Sequence, residues 1–383
     1  MAPVQTTSPT DPALSKTTSE RVLSIDALRG FDMFWIVGGE WFVTSLKDVS
    51  PNPMTRFLAE QLDHVEWEGF RFYDLIFPLF VFLIGVSLVF SLGRILEREG
   101  RAAAVKRVVR RGLLLVALGI LYYGGFSTPV EKIRLLGVLQ RLGLCYLFAG
   151  LAFCLLRTRG LVVTCVVLLV GYWALLTFVP VPGIGPGHFA PGQNLTNYID
   201  REYLPWRKWD GDYDPEGLLS TLPAIGNCLL GVFAGLLLRN RSLDPKRKPG
   251  WLLLAGVCSL FLGYLWGWKF PIIKKIWTSS YVLVVAGWSA LLLGTFYQVI
   301  DVWKHQRWIQ PFVWIGTNAL TIYILHHLVD FQKLAACFVG GDIQAGLNRW
   351  LPGLGSVLLA LVAIGLLLAV ARFLYQRRIF LRL

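Results

Sequence analysis

At 383 residues with 55% apolar, 14% aromatic and 16% charged side chains, the chain falls outside the range of an ordinary soluble domain. Its formal charge of +13 lies in short basic blocks between apolar runs, which argues against nucleic acid as a partner and reads as a membrane-topology signal. An all-α integral membrane protein of about ten spans in a lipid bilayer is expected, since each crossing needs roughly 20 apolar residues.

Residues 1–20 are rich in Ser, Thr and Pro and lack an apolar stretch, which predicts a disordered cytoplasmic tail and not a cleaved signal peptide. The first span then serves as its own insertion signal. Residues 21–383 form a single polytopic domain, with spans expected over 27–46, 70–93, 108–125, 135–156, 161–180, 217–238, 250–268, 277–300, 312–330 and 354–376. The connections 94–111 and 239–248 carry dense Arg and Lys, placing them and both termini in the cytoplasm of a cell, such as a bacterium with its inner membrane. The two halves show no convincing repeat, which weakens an inverted-repeat transporter. Cys145, Cys154, Cys165, Cys228, Cys258 and Cys337 lie in or beside apolar segments, without metal spacing, and read as packing residues.

The long 181–216 connection is Gly- and Pro-rich, extracytoplasmic, and ends in WDGDYDPEG. Asp210, Asp212 and Asp214 alternate as in a calcium loop, but Pro215 stands where such a loop needs glycine, so no metal is called for. Asp214 as N-cap, with Pro215 and Glu216 in the first turn, is expected to start the next helix.

Ionisable residues inside spans are costly and are kept when paired or used. Asp26, Arg29, Asp32 and Glu40 lie along the first span, Asp74 near the outer end of the second ahead of Pro78, and Gln140 and Arg141 in the outer half of the fourth. The ninth carries Asn318 toward the inside and His326 and His327 toward the outside. His64 lies in the loop directly above this outer level. These groups suggest one polar cavity opening outward, with Arg29, Asp32 and Asn318 at its inner mouth, and traffic of a group between the two faces. Asp74 and Arg141 are expected to interact as an interhelical pair. Only one of His326 and His327 can face the cavity, because neighbours on a helix diverge by about 100°.

SIDALRGFDMFWIVGGE followed by HVEWEGFRFYDLIFPLFVFLIG resembles the opening of the heparan-α-glucosaminide N-acetyltransferase family of transmembrane acetyltransferases. GVLQRLGLCY, DYDPEGLLSTL, KKIWTSSYVL and NALTIYILHH fit in the same order, so the resemblance runs from residue 21 through nearly the whole chain. It implies an acyl-CoA-dependent O- or N-acetyltransferase that moves acetyl from cytoplasmic acetyl-CoA to an amino sugar or related glycan on the far side of the membrane. It also implies a dimer, and it maps the family's active-site histidine onto His64. Where a lysosomal member has an asparagine near the end of the corresponding helix, this chain has Glu40; an ionised carboxylate cannot donate to an oxyanion, which leaves Glu40 either to orient the acceptor amine or hydroxyl or to sit protonated. The lysosomal pattern has eleven spans, against ten expected here.

Acetyl transfer from a thioester needs a base or relay nucleophile, donors for the tetrahedral oxyanion, and cations for the CoA phosphates. His64 suits the first role as base or acetyl relay, because an imidazole titrates near neutral pH. Glu40 and Asp74 accompany it as catalytic candidates. Arg141, Gln140, Asn318, His326 and Ser279, with Ser280 beside it, are the candidate groups around acetyl-CoA. Arg29 and the basic 94–111 connection are the candidates for its phosphates. The same buried charges also fit a secondary transporter or flippase for a sugar- or lipid-linked substrate, or a catalytically idle scaffold.

Overall fold

A computed structural model describes residues 22–381, and the tail expected over 1–20 lies outside the described residues. Described residues form helices and connections, with no strand among them. In chain order the helices are α1 Leu23–Phe34, α2 Glu40–Val49, α3 Pro53–Gln61, α4 Phe72–Arg98, α5 Gly100–Tyr122, α6 Val138–Leu155, α7 Thr158–Phe178 and α8 Leu195–Tyr203. There follow α9 Thr221–Arg239, α10 Lys248–Gly267, α11 Ser279–Phe296, α12 Gln310–Thr317, α13 Ala319–Leu328, α14 Phe331–Val339, α15 Asp342–Trp350 and α16 Leu354–Gln376.

Among the described residues seven helices are long and apolar enough to cross a membrane (α4, α6, α7, α9, α10, α11 with its extension to Val302, and α16), and an eighth is counted if the bent pair α13 and α14 is one span. The other expected spans carry identifiable interruptions. The 27–46 segment is divided by a π-helical turn, Trp35–Gly39, between α1 and α2. The 312–330 segment breaks at Asn318 between α12 and α13. Helix α5 begins with Arg101, Lys106, Arg107, Arg110 and Arg111 before its apolar half. Large apolar side chains remain uncovered along α7 (Val163, Val167, Phe178) and α10 (Leu254, Val257, Phe261). An apolar surface of this extent suits lipid contact and not water.

Helix α4 is the centre of the bundle, against α9, α6, α11 and α1, while α12 lies along α1 and α16 closes the far side over α2, α12, α14 and α15. Where α1 crosses α12, a Cβ on Gly30 would stand 1.7 Å from the Phe312 carbonyl oxygen, and one on Gly316 would stand 1.9 Å from that of Asp26. Only glycine permits this approach, a device that membrane helices use because lipid supplies no hydrophobic drive between them. The first amides of α1 are satisfied from a distance: Leu23 N and Ser24 N donate to the Asp301 carboxylate at 3.3 and 3.1 Å. Helices α3 and α8 start on asparagine caps, Asn52 and Asn194, each accepting from the third following amide.

Pro78 inside α4 has no N–H for the carbonyl of Asp74, one turn earlier. The hydroxyl of Tyr281 on α11 donates to that carbonyl at 2.8 Å instead, and Asn227 of α9 donates to the Pro78 carbonyl at 2.9 Å. Tyr281 thus replaces the donor that the proline lacks, and Asn227 adds a second cross-helix bond at the same turn. The consequence for chemistry is that the Asp74 turn is held rigidly.

One expected helix start is corrected. Helix α9 begins at Thr221, not at Asp214. Asp214 is buried and accepts from the Arg134 guanidinium (2.8 and 2.6 Å), from Trp209 N (3.1 Å) and from Glu216 N (3.0 Å), so its cap-like amide bond shapes a turn before the helix.

Candidate functional site

His64 occupies the short connection between α3 and α4 and its side chain is about half exposed, at 51%. The backbone aims it. His64 N donates to Asp63 Oδ1 at 2.8 Å, Arg71 Nη1 donates to the His64 carbonyl at 3.3 Å, and the ring lies 4.9 Å from the Tyr73 ring. Asp74 stands in the first turn of α4, where its Oδ2 accepts from Arg71 N at 3.1 Å and from Val65 N at 3.4 Å. Its Oδ1 lies 2.9 Å from His64 Nδ1. A carboxylate on one ring nitrogen fixes the tautomer and leaves Nε2 for chemistry.

A third group closes a triangle. Lys274, in the connection between α10 and α11, places Nζ 2.9 Å from His64 Nδ1, 3.4 Å from His64 Nε2 and 3.2 Å from Asp74 Oδ1. Its segment is joined to the His64 connection by the Gly69 N–H donating to the Ile272 carbonyl at 2.9 Å. Desolvation pulls the Lys274 ammonium below its ordinary range, with Lys275 acting in the same sense and Asp74 and Glu216 against it.

The triangle opens on a cavity of about 470 Å³ lined by His64, Tyr73, Arg134, Trp209, Glu216 and Lys274 among others. Arg134 is its structural cation: buried, bidentate on Asp214, 2.5 Å from Glu216 Oε2, and sandwiched between the rings of Tyr123 and Trp209 at 4.8 and 4.9 Å. Burial alone would lower its pKa, but the two carboxylates hold it above the ordinary value. Glu216 is pushed up by burial, with Arg134 and Arg141 opposing. Nearby, burial pushes Asp200 up to about 6 although the amides of Leu218 and Asp214 donate to it.

Below this cavity, a small one of about 30 Å³ shares Ile36, Phe77, Val138 and Tyr323 with it. At the other end of α1 and α4, a third of about 210 Å³ is lined by Asp26, Arg29, Ser87, Ser91 and Arg94. There Arg29 donates to Ser87 Oγ at 2.6 Å and to the Gly316 carbonyl at 3.3 Å, and pairs with Asp26 at 3.3 Å. From Tyr73 to Ser87 along α4 is about 21 Å at the helical rise.

The expected residues separate into groups. His64 and Asp74 meet. Glu40 reaches them through Tyr73, whose hydroxyl donates to Glu40 Oε2 at 2.8 Å, and it lines a different cavity of about 1070 Å³ with Trp41, Thr44, Arg56 and Asp63. The expected Asp74–Arg141 pair is corrected: Asp74 bonds His64 and Lys274, whereas Arg141 is buried, donates to Ser220 Oγ at 2.6 Å and the Gly217 carbonyl at 3.1 Å, and lies 5.1 Å from the Trp277 ring. Gln140 donates to the Arg134 carbonyl at 3.3 Å, one layer behind the cavity. The Ser279 hydroxyl is committed to the Leu169 carbonyl at 2.6 Å and Ser280 to that of Phe270 at 2.6 Å, so neither points a donor at His64. His326 packs on Trp41 at 5.5 Å and His327 stacks on Tyr122 at 4.0 Å; neither lines the His64 cavity. Asn318 is buried with both amide atoms lacking a hydrogen-bond partner among the described residues. Lys274, Tyr73 and Glu216 were missed as site residues. The signal for Lys274 was a lysine pair ahead of an apolar run, which reads by itself as an interfacial anchor.

Residues 21–266 match the family model for the catalytic part of heparan-alpha-glucosaminide N-acetyltransferase. Heparan-alpha-glucosaminide N-acetyltransferase of Homo sapiens is 29% identical over 335 residues, covering 70% of this chain and 49% of the human one. The Mus musculus protein of the same name is 27% identical over 446 residues, covering 96% of this chain and 61% of its own. The chain thus spans about half to three-fifths of the length of these relatives. With the match running through the elements that carry His64, Asp74, Glu216 and Arg29, the chain belongs to the heparan-alpha-glucosaminide N-acetyltransferase catalytic family.

Proposed function

We propose that this chain is a transmembrane acetyltransferase that moves acetyl from cytoplasmic acetyl-CoA to an amino sugar or related glycan across the membrane, with His64 handling the acetyl group. The observation that carries this reading is His64 Nδ1 held 2.9 Å from a buried carboxylate at the mouth of a cavity of about 470 Å³. Further cavities along α1 and α4, ending at Arg29 and Arg94, support a donor that approaches from the opposite end. Those cations suit CoA phosphates. Trp209 offers an aromatic face, and Glu216 and Asp210 offer carboxylates, to the ammonium and hydroxyls of an amino sugar. Purified protein should turn over acetyl-CoA beyond one equivalent per chain only when an amino-sugar acceptor such as glucosamine is present; acceptor transport without thioester consumption would overturn the reading in favour of a carrier.

The topology proposed with this activity has ten spans in the single domain 21–383, both termini cytoplasmic, and 47–69 and 181–216 on the acceptor side. It rests on the asymmetry of basic residues between connections. With reactive native cysteines replaced, a membrane-impermeant thiol reagent added outside whole cells should label Gln193→Cys and leave Asp244→Cys unlabelled. Both positions are exposed, so the reverse pattern would invert the assignment.

A further inference from the structure

His64 Nδ1 has two neighbours at the same distance with opposite demands. Asp74 Oδ1, at 2.9 Å, can only accept a hydrogen bond, and an ammonium at Lys274 Nζ, also at 2.9 Å, can only donate one. A neutral ring nitrogen offers either a proton or a lone pair, so one neighbour at a time is satisfied. While Nδ1 carries the proton, it donates to Asp74 and Lys274 donates to Asp74 as well, at 3.2 Å. The lone pair of Nε2 is then enriched, with Lys274 Nζ 3.4 Å away.

We infer that Lys274 takes over from Asp74 on Nδ1 once Nε2 carries acetyl, and that this hydrogen bond speeds release of the acetyl group to the acceptor amine. The inference rests on the acetyltransferase reading above and adds that acetyl passes through His64.

In the first half-reaction Nε2 attacks the thioester carbonyl, the C–S bond breaks, and the sulfur leaves with the proton that Nδ1 gives up. The ring is now a neutral N-acetylimidazole, and Nδ1 has a lone pair where it had a proton. Facing Asp74, that lone pair is repelled by the carboxylate; facing Lys274, it accepts from an ammonium. In the second half-reaction the amine attacks the acetyl carbon, the C–Nε2 bond breaks, the amide forms, and the proton lost by the amine returns to the imidazole. Donation to Nδ1 draws electron density out of the ring as that bond breaks, which makes imidazole a better leaving group. Asp74 thus favours loading and Lys274 favours unloading of the same nitrogen. The charged neighbours of Lys274 fit this exchange: Asp74 from α4, Glu216 from the segment before α9, and Lys275 beside it. Desolvation of the ammonium strengthens it as a donor.

The test separates the two half-reactions in full-length protein. Radiolabelled acetyl-CoA is added alone, label on His64 is quantified after rapid quench, and glucosamine is then added to discharge it. For Lys274→Met the loading rate should stay within about twofold of the native protein, while discharge slows by about a hundredfold, the lower end of the range for positioned acid–base groups. Lys274→Arg, which keeps a cationic donor, should recover most of the discharge rate. A merely structural lysine would alter both half-reactions or neither. Discharge at the native rate in Lys274→Met, or equal losses in both halves, overturns the inference. If native protein never carries label while His64→Ala still abolishes turnover, the relay falls and the acetyltransferase reading stands. Should Lys274→Met fail to fold, Lys274→Leu, which also lacks a donor, carries the same expectation.

Discussion

His64→Ala should lower acetyl transfer by between about a hundredfold and ten-thousandfold, the range for losing a positioned acid–base group, with the fold and acetyl-CoA affinity preserved. The side chain is about half exposed, at 51%, and stands on a connection between helices, so truncating it opens no core cavity. Asp74 keeps Lys274 at 3.2 Å and the amides of Arg71 and Val65 as partners when the ring is removed, so no buried charge is orphaned. The cations proposed for the CoA phosphates, Arg29 and Arg94, line a separate cavity at the other end of α4. Acetyl-CoA binding measured by calorimetry, beside steady-state turnover and a thermal melt, checks all three statements. A folded alanine variant with near-native turnover would remove His64 from the chemistry.

Asp74→Asn should reduce turnover by about a hundredfold or more and also cost stability, which distinguishes it from the His64 change. The carboxylate is buried and accepts from four groups: His64, Lys274, Arg71 N and Val65 N. An amide has one oxygen. It can serve either the backbone amides or the His64–Lys274 side, and its NH₂ then faces a donor. Hydrogen bonds to charged groups contribute roughly 1.5–3 kcal/mol each, and part of that is recovered by the asparagine oxygen, so a net loss of about 2 kcal/mol in detergent-solubilised unfolding is expected. The tautomer argument predicts that turnover falls even at temperatures where the variant is fully folded. Stability lost with turnover intact would make Asp74 only a cap for α4.

Much of the helical layout was legible because apolar runs and basic blocks are local properties of the chain. Helices α4, α6, α7, α9, α10, α11 and α16 coincide with expected spans to within a few residues at most boundaries. The expected spans 27–46 and 312–330 differ because helix breaks at Trp35–Gly39 and Asn318 depend on what the backbone packs against, as the Gly30–Gly316 crossing illustrates. Hydropathy averages over such interruptions and does not register them.

The site divides along the same line. That His64 stands in the loop directly above the level of Asp74, at the start of the second expected span, followed from their separation of ten residues. That Asp74 is met by Lys274 and not by Arg141 did not follow, because a bond across 200 residues depends on how the α10–α11 connection folds over α4. Depth along a span can be counted from sequence, and it put Asp74 and Arg141 together; azimuth cannot, and it turns Arg141 toward Ser220 and Gly217. The same lack of azimuth made Ser279 a candidate donor, although its hydroxyl is spent on the Leu169 carbonyl. Composition and local pattern therefore determined that this chain is a helical membrane protein and that His64 stands above the level of Asp74. Only tertiary packing decided which of them touch, since helix rotation and loop closure set contacts that hydropathy and spacing leave open.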